Sequence, residues 1–134
     1  MTDISVSTTA SQVEKRSWLL GPHGTDPGST PSITLDVSAF TAGTHYPNGY
    51  FPSGLNLGRI TATGLYGPYD NAAADGREVF AGHLFSSVKV PNTADTTKDV
   101  GGALLVHGFV KLGKLPIALD AAGQADAKLI HYVA

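Results

Sequence analysis

The chain has 134 residues, 42% of them hydrophobic and 15% charged, which suits one domain, and a second, catalytic domain is not expected within it. Nine Lys and Arg against eleven Asp and Glu give a formal charge of −2, so no basic field is available to hold a nucleic-acid backbone. The absence of cysteine removes disulfides, thiolate nucleophiles and Cys-based zinc sites together, and fits reducing and oxidising compartments equally.

Residues 1–30 differ from the remainder. Half of them are Ser, Thr, Gly or Pro, and their few apolar residues keep no period, so the stretch cannot build a core of its own. Ser11-Gln12-Val13-Glu14 has capping-box spacing, but Gly21-Pro22 stops any helix soon after. The beginning, Thr2-Asp3-Ile4-Ser5, lacks the cationic and apolar blocks of a signal peptide, and no apolar run reaches membrane-spanning length. A soluble protein made in a cytoplasm is expected, with residues 1–30 as an arm and 31–134 as a β-rich domain.

Ile33, Leu35, Val37 and Ala39 alternate with Thr34, Asp36 and Ser38, which predicts a half-buried strand. Thr44 to Gly54 is crowded with turn-setting residues, so Tyr46, Tyr50 and Phe51 read as the aromatic tip of a loop. Short apolar runs follow at 55–62, 79–90 and 104–112, with 64–76 and 91–102 as separating loops. Residues 119–128 predict two helical turns and 129–133 a closing strand. The class is therefore mainly β (α+β): a small barrel-like domain of short strands with one small C-terminal helix.

Catalytic chemistry finds no support in the pattern, and an enzyme is not expected. His83, His107 and His131 recur every 24 residues, but no HxH or HxxxH pair and no neighbouring carboxylate makes a metal site of them. Asp70, Asp75 and Glu78 offer paired carboxylates, although Asp75-Gly76 is ordinary turn chemistry. Neither a nucleophile elbow nor a glycine-rich phosphate loop occurs. No cofactor is called for. The aromatic cluster Tyr46, Tyr50, Phe51, Tyr66 and Tyr69 keeps one alternative open, a carbohydrate-binding module whose stacking platform is Tyr46, Tyr50 and Phe51; otherwise these rings pack loop ends over the core.

The clearest clue is Trp18, the sole tryptophan, placed with Leu19 and Leu20 in the segment least able to bury it. Sealing such a ring is worth about 4–6 kcal/mol as an upper bound, enough to fix several neighbours on a partner. Two outcomes are open: the three residues anchor the arm on another protein, or they fold back onto their own domain.

An ordered series of short motifs resembles one family. It runs from Ser17-Trp18-Leu19 and His23-Gly24-Thr25-Asp26 through Ile33-Thr34-Leu35-Asp36 and Pro52-Ser53-Gly54 to Leu57-Gly58-Arg59-Ile60-Thr61-Ala62-Thr63-Gly64-Leu65-Tyr66-Gly67-Pro68-Tyr69. It continues with Asp75-Gly76-Arg77-Glu78, Ala81-Gly82-His83-Leu84-Phe85, Val106-His107-Gly108 and Leu115-Pro116. In this order the motifs resemble the lambda-type head decoration, or capsid-stabilising, proteins of tailed bacteriophages, over about residues 17–133. The resemblance implies a homotrimeric β-tulip domain on the outer surface of the expanded virion capsid. It would sit at three-fold and quasi-three-fold positions and clamp the major capsid protein against genome pressure, with no direct contact to nucleic acid or membrane. A flexible N-terminal arm would engage the capsid, which makes Ser17, Trp18, Leu19, Leu20 and His23 the expected capsid-binding residues. Such a role needs no catalysis.

Overall fold

The computed structural model describes residues 14–22, 24, 25, 28, 30–90 and 96–134. The fold is mainly β, as the composition and alternation predict. Its strands are β1 (Ser32–Leu35), β2 (Tyr50–Phe51), β3 (Asn56–Arg59), β4 (Tyr66–Pro68), β5 (Phe80–Leu84), β6 (Val88–Lys89), β7 (Val100–Leu105), β8 (Gly108–Lys111) and β9 (Ile130–Val133). Two short helices accompany them, α1 (Ala42–His45) and α2 (Ala121–Asp126).

Five strands close into a barrel in the order β1-β4-β3-β5-β7, sealed by antiparallel pairing of β1 with β7. Only β1 and β4 run parallel within it. Closure leaves the barrel strands no open edge, which such short strands need to avoid pairing with other chains. Outside the barrel, β2 pairs β6 and β8 pairs β9, the latter in parallel. Parallel neighbours require a long return connection, and the segment carrying α2 supplies it.

The wall formed by β5 and β7 divides two cores. Successive strand residues face opposite sides, so Leu84 and its partner Leu104 point into the barrel while His83 and its partner Leu105 point out of it. Ile33, Leu35, Leu57 and Phe51 fill the barrel side. Phe80, Leu105, Val110, Leu119, Ile130 and Trp18 fill the other. A bulge aims Phe80 into this second core: Leu57 pairs Gly82 but Gly58 pairs Phe80, so Ala81 is the extra residue and the alternation shifts by one.

Several expectations need correction. The predicted strand from Ile33 stops at Leu35, because Asp36 accepts a hydrogen bond from the Ser38 N–H and starts a 3-10 turn over Val37–Ala39. The stretch 64–76 is not all loop, since β4 lies inside it. Residues 104–112 divide between β7 and β8, and β7 already starts at Val100. A second short helix, α1, sits in the turn-rich stretch. The proposed capping box at Ser11 to Glu14 lies, except for Glu14, outside the described residues.

Candidate docking surface

Residues 14–20 of the expected arm pack against the β-rich domain that follows. Glu14 accepts hydrogen bonds from the backbone N–H and the hydroxyl of Ser87, and pairs with Arg16 at 3.0 Å. Arg16 in turn lies 4.2 Å over the Phe85 ring and donates to the Ser86 hydroxyl at 2.7 Å. Glu14 and Arg16 therefore clasp the β5–β6 turn. The chain then runs along the outside of β8: Lys111 N–H donates to Trp18 O, Leu20 N–H donates to Phe109 O, and Leu19 bridges Val110 antiparallel.

Trp18 does not stand free as a capsid anchor. It is 1% exposed and belongs to the second core. Its indole N–H donates to the Ser53 hydroxyl at 3.1 Å, and Ser53 passes the bond on to Phe85 O at 2.6 Å. Gly54 makes the approach possible. Its φ of +91° suits glycine alone, and a Cβ there would lie 2.9 Å from the indole nitrogen.

The indole packs 5.4 Å from His83, which is fully buried among Trp18, Phe80 and Tyr132. His83 Nδ1 lies 3.2 Å from Gly54 O, an atom that can only accept, so Nδ1 carries the proton. Nε2 is then free to accept from the Tyr132 hydroxyl at 2.9 Å. Burial pulls the His83 pKa down to about 4, opposed in part by the bond to Gly54, and burial also raises that of Tyr132. Both groups are neutral and hold β9 to the barrel.

The remaining expected site residues divide. Ser17 is exposed, Leu19 is half-buried against the second core, and Leu20 is 49% exposed. His23 lies outside the described residues. The aromatic platform is not assembled: Phe51 and Tyr46 are core residues at 0% and 4% exposure, packed edge to face at an interplanar angle of 77°. Tyr50 reaches the surface in part, as do Tyr66 and Tyr69. The turns around them fold inward because β2 pairs β6 and α1 folds back, with the Thr41 N–H donating to His45 Nδ1.

The carboxylates considered for catalysis each cap local backbone. Asp75 accepts from the Arg77 N–H and pairs with its guanidinium at 3.0 Å, contacts that hold its pKa below the ordinary carboxylate value. Glu78 accepts from the Gly76 N–H and Asp70 from the Ala72 N–H. Among the described residues, no group of three or more His, Cys, Asp or Glu is placed to hold a metal. No helix among them is long and apolar enough to cross a membrane.

Two surface features remain. The outward face of the piece formed by the N-terminal segment, β8 and β9 carries Leu20 at 49%, Phe109 at 43% and Leu129 at 65% exposure, with His131 against Phe109. Sequence reasoning missed Phe109 and Leu129, although the alternation of Phe109 with Val110 in β8 carried the signal. Beside this piece lies a groove of about 250 Å³ with Trp18 at its base, walled by Tyr50, Pro52 and Pro116 and flanked by Lys15 and Lys114. A larger hollow near Asn56 has several of its polar groups committed to the fold, while the buried Asn56 Oδ1 has no hydrogen-bond partner among the described residues. There the Tyr69 hydroxyl donates to Asp120, which caps α2, and the Asn56 amide holds Ile117 O and Ala118 O.

No protein-family profile matches the chain, and no curated protein matches it.

Proposed function

We propose that the chain is a capsid decoration protein, binding as a homotrimer to the outside of an expanded tailed-phage head and bracing neighbouring capsid subunits against internal pressure. The observation that carries this reading is the outward face bearing Leu20, Phe109 and Leu129, three of the four large apolar side chains that are more than a third exposed among the described residues, Val79 being the fourth. The motif series quoted above supports it from the sequence side, and its Ser53-Gly54 step is the one that receives Trp18. A bridging trimer loses its binding energy when the subunits it spans separate, so its attachment resists that separation. Three attachment points also raise avidity by about 10²–10⁴ over one, so each contact need only be modest. No catalysis is needed, and net charge −2 keeps the protein off the packaged nucleic acid.

In this reading the contact surface moves from the indole to Leu20 and its neighbours, because Trp18 is spent inside its own protomer. The carbohydrate-binding alternative loses its support with the burial of Tyr46 and Phe51. The test is co-sedimentation of the purified chain with expanded heads of the phage that encodes it, together with sedimentation equilibrium for the oligomer. Saturable binding by a trimer is expected, and its loss in L20E/F109E. Absence of the protein from the head pellet contradicts the proposal.

A further inference from the structure

We infer that the groove at Trp18 receives an extended, acidic, proline-containing segment of a partner protein. Two lysines flank it, Lys15 on the N-terminal segment and Lys114 in the turn after β8, and both side chains are exposed. The ion pairs among the described residues are Glu14 with Arg16 and Asp75 with Arg77, so neither lysine is neutralised by one. On a chain with formal charge −2, two such ammonium groups at one groove make a local positive field that selects carboxylates. The walls set the shape. Pro52, Pro116 and the half-buried Tyr50 present flat apolar faces of the kind that receive polyproline-like strands, while the Ser17 hydroxyl adds a polar contact at the rim.

The base is rigid: the indole N–H is held by Ser53, which is held by Phe85 O, so these groups need no rearrangement when the groove fills. A nucleic-acid strand fits less well, since a single partly exposed ring offers little stacking and the overall charge repels phosphate. Identifying the partner as the capsid subunit rests on the proposed function. The groove's preference for acidic peptide does not.

The test uses the full chain and three probes: an octapeptide of alternating Glu and Pro, the Lys-Pro octapeptide, and an eight-nucleotide oligothymidylate. Binding is read by calorimetry and by tryptophan emission, which arises from Trp18 alone. The Glu-Pro peptide is expected to bind saturably, to weaken as salt rises, and to lose roughly 3- to 30-fold in affinity in K15A/K114A. Both lysines are exposed, so that variant keeps the fold, checked by an unchanged denaturation midpoint. No saturable binding, equal binding of the Lys-Pro peptide, tighter binding of the oligothymidylate, or an unchanged affinity in the double variant overturns the inference. Head binding is scored separately. Peptide binding by a chain that ignores heads upholds the groove and removes the capsid reading, whereas decorated heads with no peptide binding remove the groove and uphold the capsid reading.

Discussion

The Trp18 indole N–H donates to the Ser53 hydroxyl at 3.1 Å, across 35 positions of sequence, and closes the second core from outside the barrel. Replacing Trp18 with Ala deletes the largest side chain of that core and leaves Ser53 without its donor. A loss of about 3–5 kcal/mol is expected, read as a lowered urea midpoint with an unchanged slope. A free capsid-binding arm would show no change.

Gly54 tests the same contact from the other side. Ala at this position has to adopt a left-handed backbone while its methyl meets the indole and the Pro116 ring, the latter at 3.0 Å. A cost of about 1–3 kcal/mol or more is expected. G54A should also perturb Trp18 emission, whereas alanine at Gly43, where a Cβ meets open space, should leave that emission unaltered.

His83 makes stability depend on pH. Its folded pKa of about 4 lies below the unfolded 6.5, so between these values the unfolded chain binds more protons than the folded one. Stability then rises with pH across that window, and acidification from about 6.5 to about 4 removes on the order of 3 kcal/mol through this group. Thermal or urea midpoints measured between pH 4.5 and 6.5 check the slope. In H83Q, less stable overall, the slope should flatten, and an equally steep slope in the variant assigns the effect elsewhere.

Tyr69 couples the barrel to α2 by donating its hydroxyl to Asp120 at 2.8 Å, and Asp120 also accepts from the Gly123 N–H at the start of that helix. The Tyr69 pKa is pushed up to about 12 by burial and by the Asp120 carboxylate. Y69F is expected to cost about 0.5–1.5 kcal/mol and D120A about 0.5–2 kcal/mol. Combined, the two changes should cost less than their sum, because they share one bond. Hydrogen exchange should quicken in α2 in both.

The sequence shows its strands where side chains alternate and hides them where they do not. Ile33 and Leu35 announce β1 by period two, and Asp120 with Ala121 and Ala122 announces α2 by cap and propensity. Tyr66-Gly67-Pro68 carries no such sign, yet it forms β4, where a Cβ on Gly67 would meet the Arg77 side chain at 2.8 Å. Tyr46 and Phe51 look like a loop tip because Pro47, Asn48, Gly49 and Pro52 surround them. Their burial depends on β6, nearly forty positions away, which no local pattern reports. Trp18 is the same case: composition shows that its own segment cannot bury it, but not that Gly54 leaves room for it. That Leu20 lies beside Phe109 emerges only once the strand register is known.

Electron cryomicroscopy of expanded heads incubated with the purified chain tests the decoration claim most directly. The account predicts trimeric density over the three-fold and quasi-three-fold positions, with Leu20, Phe109 and Leu129 covered and Trp18 still inside its own domain. Bare three-fold positions at saturating protein, or density in which Trp18 has left its core to insert into the shell, would contradict it.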